Sequence, residues 1–313
     1  MKKELNKDTL TQAIQEEALK KGFLGCGISK VRMLDEYRQT YLNWLKEGHH
    51  AGMAYMEKNT EQRFDPAQLV EGAKSVISLL YNYFTFEKPK GSKLKIAKYA
   101  LGTDYHEVVR DKLDLLVGYI TGLVGEDIII RCFVDSAPIL EKAWAQNSGL
   151  GFIGKNSCLI SPKHGSFVFV AEIITSFELE GGQSIREMCG SCRRCIDACP
   201  TQAITENRTI NSYHCISYQT IENRDEIPTS LKGKFDHYIF GCDICQDVCP
   251  WNRRSRVHKE PLFYLRPEIK DMDIDDWKSM DETTYQKVFK KSAVKRAKFS
   301  GLKRNINFVA DET

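Results

Sequence analysis

Residues 188–200 read Met-Cys-Gly-Ser-Cys-Arg-Arg-Cys-Ile-Asp-Ala-Cys-Pro, setting Cys189, Cys192, Cys195 and Cys199 at steps of three, three and four ahead of Pro200. This is the bacterial ferredoxin run for a [4Fe–4S] cluster, whose fourth thiolate serves a neighbouring cluster. The segment therefore predicts a second cluster with further ligands in the chain. Cys242, Cys245 and Cys249, followed by Pro250, nearly repeat the run, with Ile239 where its first cysteine would fall. Cys215 is the only other cysteine between the two runs. The set then closes: Cys189, Cys192, Cys195 and Cys249 hold one cube, and Cys215, Cys242, Cys245 and Cys199 hold the other. Three thiolates on a tight loop cap three irons, while the Cys-Pro step turns the fourth sulfur away. Structural zinc prefers two separated Cys-x-x-Cys pairs and fits this pattern poorly.

At 313 residues the chain suits two or three domains. It has no run of eighteen apolar residues, so no membrane span is expected. The charged start Met-Lys-Lys-Glu-Leu-Asn-Lys-Asp lacks the apolar stretch of a secretory signal. Of eleven cysteines, the eight above leave Cys26, Cys132 and Cys158, expected as small buried hydrophobes in a reducing cytoplasm. The net charge of +3 says little, but Lys287 to Arg304 holds eight Lys or Arg and no Asp or Glu. A single-signed block of this density suits an anionic partner, with nucleic acid the leading candidate.

Taken in order, the spacing predicts a helix over 9–21 with a Thr9/Gln12 capping box, then a strand over 23–28. A helix over 34–46 would bury Leu34, Tyr37, Tyr41, Leu42 and Leu45. His49 and His50 read as a solvated turn. Asp65 should cap a turn opened by Pro66, before a buried central strand over 75–83. The helix predicted over 104–123 offers Val108, Leu113, Leu115, Leu116 and Ile120 to the core. Its start resembles the Asp-x-His-x-x-Gly cobalamin motif, but Val109 stands at the glycine position, so that motif is rejected.

Residues 127–134 form an apolar strand with Asp135 at its carboxyl end. A carboxylate there can act as an acid, or simply cap the helix begun at Ala137 and Pro138, the commoner use. Gly149, Gly151 and Gly154 follow a helix, the wrong setting for a dinucleotide fingerprint; a loop close to a flat ligand is expected instead. A strand over 167–174 is expected to pair with 157–160. No Walker loop or flavin fingerprint is present, so electrons should come from a separate carrier such as flavodoxin or ferredoxin.

Several motifs together resemble the epoxyqueuosine reductase family, which completes the tRNA wobble nucleoside queuosine. They are Gly-x-Asp-Tyr-His (102–106), Val-Asp-Ser-Ala-Pro-Ile-Leu-Glu-Lys (134–142), Gly-Leu-Gly-Phe-Ile-Gly-Lys-Asn (149–156) and Pro-Lys-His-Gly-Ser-Phe-Val-Phe-Val-Ala-Glu-Ile (162–173). Both cysteine runs, Cys-Ile-Ser-Tyr (215–218), Ser-Ala-Val-Lys-Arg-Ala-Lys (292–298) and Gly-Leu-Lys-Arg-Asn (301–305) complete the match, which covers most of 20–308. The family is related to reductive dehalogenases and binds cobalamin without the histidine motif.

The resemblance implies an α+β fold: a mixed α/β cobalamin and substrate domain (1–178), a two-[4Fe–4S] ferredoxin-like domain (179–256) and a short helical, basic C-terminal segment (257–313). It implies Asp135 as the proton donor. Arg63, Asp135, Leu159, Val170, Ser217 and Asp243 match positions around cobalamin. The implied reaction is a two-electron reduction of the epoxide with loss of water, on cobalamin fed by the clusters. Many relatives continue into a helical-repeat extension that grips tRNA. Here anticodon-loop binding would rest on Arg253, Arg254, Arg256, Lys295, Arg296, Lys298 and Arg304. A monomer off the membrane is expected. The alternatives are a dehalogenase-like enzyme acting on a small molecule, and an electron-transfer ferredoxin with an accessory domain.

Overall fold

The computed structural model describes residues 6–206 and 208–310; most of the charged start lies outside them. The front part runs α1 (Lys7–Lys20), β1 (Gly25–Lys30), α2 (Asp35–Lys46), α3 (Thr60–Phe64), β2 (Ser75–Asn82) and β3 (Lys95–Ile96). It continues with α4 (Tyr105–Val124), β4 (Ile130–Phe133), α5 (Glu141–Asn147), β5 (Phe152–Ile153), β6 (Leu159–Ile160) and β7 (Val168–Thr175). The main sheet has the order β1-β2-β7-β4, and every pair is antiparallel. β2 is central, as its apolar run predicts. The run lacks alternation because both of its faces are covered, although its neighbours are antiparallel. On one face Ile77, Leu79, Ala171 and Ile173 meet α1 and α4, and on the other Val76 and Ile174 meet Phe64 and Trp144.

Several expectations shift. β7 pairs with β2 and β4, whereas Leu159–Ile160 closes a small hairpin with β5. Eight residues in register with β2 outweigh the short turn at 161–165. α1 is capped by Asn6, whose side chain accepts from the Thr9 amide, so no Thr9/Gln12 box forms. Asp65 does cap its turn, accepting from the Ala67 amide at 3.0 Å. Leu115, at 57% exposed, and Leu42, at 40%, face solvent because each sits off its helix's packed stripe. His50 is buried against the Trp44 ring and pairs with Glu57, so the expected solvated turn is half wrong.

The rear part holds α6 (Arg194–Asp197), α7 (Ile216–Ile221), β8 (Tyr238–Phe240) and α8 (Ile244–Asp247), then α9 (Pro267–Lys270), α10 (Ile274–Ser279), α11 (Glu282–Val288) and α12 (Lys298–Ala310). β8 pairs in parallel with β3, so the front domain reaches into the rear core. That core joins Leu94, Ile96 and Leu101 to Phe240, Trp277, Phe289, Leu302 and Ile306, and all three expected segments contribute to it. Ile239 is fully buried within β8. The position of the missing cysteine has thus been given to packing, and Cys215 lies at α7's N-cap. Asn305 locks α12 in place by donating to the carbonyls of Thr220 and Ile239. Among the described residues no helix is long and apolar enough to cross a membrane.

Candidate active site and cluster ligands

The eight cysteines gather as two sets. A cavity of about 310 Å³ is lined by Cys189, Cys192, Cys195 and Cys249 together, with Lys155, Met188, Arg194, Trp251 and Arg254 around them. Cys249, from the second run, therefore sits with the first three. Conversely, Cys242 lies close enough to Cys215 and Cys199 for each to raise its pKa, so Cys199 crosses the other way. Among the described residues no three His, Cys, Asp or Glu side chains converge as ligands of a single ion do. Thiols spread around a space wider than one ion suit a cube of four irons. Burial pushes Cys189 up to about 11 and Cys242 higher still. Thiolates at these positions need the positive charge of bound iron.

Cys158 departs from expectation. Its thiol hydrogen-bonds to Cys245 beside the inner set, which holds it below the usual thiol range. Cys26 and Cys132 do pack partly buried against the front core. Nothing in the local sequence around Cys158 marks it, because the contact is made only when β6 is laid beside the rear domain. The glycines of 149–154 serve a different purpose from the one expected. A Cβ at Gly151 would lie 2.6 Å from the Ile160 carbonyl oxygen, and one at Gly154 2.5 Å from the Ile160 side chain. Gly151 and Gly154 make room for the neighbouring strand, β6, while Gly149, at φ +83°, faces the Gln183 carbonyl.

Asp135 follows β4 with φ +51°, a left-handed conformation that aspartate and asparagine tolerate better than most residues. It caps nothing, since α5 begins only at Glu141 after Leu140. Two contacts hold it instead. The Tyr105 hydroxyl donates to Asp135 Oδ2 at 2.7 Å, and the Asp135 amide donates to Glu141 Oε1 at 2.7 Å. Desolvation, and then the Asp135 carboxylate, push Glu141 up to about 8. Tyr105 is fixed in turn by stacking on Phe169, centroids 4.1 Å apart. Both holders lie inside motifs quoted above, yet nothing in sequence separates them from packing residues. In the rejected motif, Asp104 caps α4, His106 bonds back to Asp104, and Val109 is fully buried.

Arg296 comes to Asp135 from the far end of the chain. It makes a two-bond ion pair with Glu222 at 2.7 and 2.9 Å, and the Asp135 carboxylate raises its pKa further. Tyr55, 46% exposed, faces the same three groups. Arg63 donates to the Tyr55 carbonyl, while its buried Nε has no acceptor. On the inner side, partly buried Tyr99 feels both Asp135 and Asp243. Asp243 accepts from the Lys98 amide at 2.9 Å and, mainly by burial, is raised to about 6. Leu159 adjoins Cys158, and Ser217 lies two positions after Cys215. Val170 packs with Leu80 and Leu159 on the sheet face opposite α4.

The basic candidates divide. Lys295 and Arg296, on the turn before α12, and Lys298, its first residue, are exposed. Arg304 is not a free cation: its guanidinium donates to the carbonyls of Gln219, Asn223 and Asp225 and holds α12 to α7. Arg253 and Arg254 lie just beyond Cys249, and Arg254 stacks on Trp251 at the rim of the outer cavity.

This geometry meets independent evidence from relatives. Residues 63–136 match the family model described as epoxyqueuosine reductase QueG, DUF1730, and residues 188–252 match a 4Fe-4S double cluster binding domain. The epoxyqueuosine reductase of Cellulophaga algicola is 49% identical over 97% of this chain and 99% of its own length. The chain belongs to the epoxyqueuosine reductase family. Its 188–252 segment is a two-[4Fe–4S] module, as the cysteine runs predicted. A solved epoxyqueuosine reductase bound to an epoxyqueuosine-modified tRNA-Tyr stem loop is 28% identical, with a TM-score of 0.89 over 97% of this chain and 81% of that one. A Bacillus subtilis family structure, also 28% identical with a TM-score of 0.88 over 97% of this chain and 81% of that one, has its catalytic aspartate loop swung out of the active site.

Proposed function

We propose that this protein is an epoxyqueuosine reductase that converts the epoxide at the tRNA wobble position to the alkene of queuosine, consuming two electrons and two protons and releasing water. The observation that carries this reading is Asp135, held by Tyr105 and Glu141 near Arg296, with Tyr99 close enough to feel both Asp135 and Asp243 of the second cysteine run. The solved relative with a modified stem loop supports the substrate.

Cobalamin fits the same place. The buried Arg63 Nε lacks an acceptor, and the amide side chains of a corrin are rich in carbonyl acceptors. Arg63, Asp135, Leu159, Val170, Ser217 and Asp243 would surround it. Bound there, cobalamin supplies a strongly reducing nucleophilic centre for the epoxide carbon. The chain's own residues do the rest. Asp135 gives a proton to the epoxide oxygen, and Tyr105 orients that carboxyl group. The eight cysteines hold the clusters that bring electrons from an external one-electron donor. Lys295, Arg296 and Lys298 meet the anticodon-loop phosphates. The reading is tested by anaerobic assay with added cobalamin on epoxyqueuosine-containing tRNA, followed by nucleoside mass. Absence of a product lighter by one oxygen overturns it.

Two further outcomes are expected. Glu141→Leu removes the acceptor that holds the Asp135 amide. Turnover should fall by about 10- to 100-fold through lost positioning, with cobalamin and tRNA affinity kept. Glu141→Gln, which retains an acceptor oxygen, should restore most of it. Hydrogen exchange at Asp135 should rise only in the leucine variant, and equal loss in both variants counts against the positioning role. Replacing Lys295, Arg296 and Lys298 together by alanine should weaken tRNA binding and flatten its salt dependence by about 0.7 per lost phosphate contact. An unchanged slope removes these residues from the interface. Arg304→Ala is a poor probe, because it frees α12 from α7.

A further inference from the structure

Around the outer cysteine set, positive charge exceeds negative. Lys155, Arg194 and Arg254 line the cavity with the four thiols, and no carboxylate lines it. The nearby carboxylates are already taken: Glu187 pairs with Arg208, and Glu206 with Arg193. Lys155 is also engaged, donating to the Gly190 and Cys192 carbonyls, where it steadies the ligand loop. Arg194 is exposed and makes no ion pair or side-chain hydrogen bond among the described residues. Arg254 lies over Trp251 and donates to the Pro162 carbonyl at 2.6 Å, with no carboxylate partner among the described residues, and Met188, 40% exposed, adds an apolar edge to the same rim. The cation that feels Asp135 is instead Arg296.

We infer that this rim is the docking surface for a small acidic flavoprotein of the flavodoxin kind, and that Arg194 and Arg254 recognise it. The inference rests on the reductase reading above. Cations with no carboxylate partner around an open redox centre attract an acidic carrier and orient it over the site of transfer. Trp251 and Met188 offer a flat apolar contact for the exposed edge of a flavin. In each encounter the reduced flavin gives up one electron and the outer cluster gains it. Two encounters complete one epoxide reduction, and the protons arrive separately at the substrate. This assignment takes Arg254 from the tRNA face to the carrier face.

The experiment uses the cluster-loaded protein with Arg194→Glu and Arg254→Glu, singly and together. The affinity of oxidised flavodoxin is read at low ionic strength, and turnover is driven either by photoreduced flavodoxin or by dithionite. The double variant should bind flavodoxin at least about tenfold more weakly, and flavodoxin-driven turnover should fall in step. Dithionite-driven turnover, tRNA affinity and the electron paramagnetic resonance spectra of both clusters should match the unmodified protein. Three results overturn the inference: flavodoxin affinity that is absent or insensitive to these charges, an equal fall in dithionite-driven turnover, or loss of tRNA affinity. A ferredoxin that alone shows the charge-sensitive binding also overturns it. If dithionite drives no turnover in the unmodified protein, the reductase reading fails, and the flavodoxin affinity still decides the docking surface.

Discussion

Asp135→Asn is expected to lower single-turnover epoxide reduction by about 10²- to 10⁴-fold, the usual contribution of a placed general acid. The substitution is chosen because it disturbs little else. Asparagine accepts the φ of +51° as readily as aspartate, and its amide oxygen can still accept from the Tyr105 hydroxyl. What it cannot do is release a proton to an epoxide oxygen. Cobalamin uptake, read by absorbance, and affinity for substrate tRNA should therefore stay within a few-fold of the unmodified protein. Full activity would refute the acid assignment and leave Asp135 as a positioning contact. Asp135→Ala is less informative, since alanine is strained at positive φ and the loop itself would move.

Cys249→Ser should dismantle the outer cluster although Cys249 lies in the second cysteine run, and Cys199→Ser should dismantle the inner one. Each variant should fall from about eight irons per chain toward about four and lose turnover. The two outcomes are separated by reference variants. The resonance spectrum left by Cys249→Ser should match that of Cys192→Ser, and that left by Cys199→Ser should match Cys242→Ser. Matching the other way would mean that each run fills its own cluster. The shared cavity of Cys189, Cys192, Cys195 and Cys249 is the reason to expect the crossed result. Reduction by chemical donors adds a check: a broken outer cluster should hurt carrier-driven more than dithionite-driven turnover.

The sequence by itself determined the cluster module, because cysteine spacing on a tight loop is a local constraint that survives without knowledge of the fold. It also determined the central strand β2 and the cap at Asp65, where period and turn chemistry act over a few residues. What only the tertiary structure decided are the long-range meetings. Residue spacing could not show that β7 bypasses its neighbouring hairpin to pair with β2 and β4, so that the sheet is antiparallel. It could not separate Arg296, which arrives at Asp135, from Arg304, which is spent on the carbonyls of α7 and the loop after it, though only eight positions part them. It could not see that Cys158 reaches Cys245, or that Glu141 and Tyr105 converge on one aspartate, at its amide and its carboxylate. A cation or carboxyl group carries the same letter wherever it points. Its role is fixed by which carbonyl, thiol or ring the packed core brings within about 3 Å.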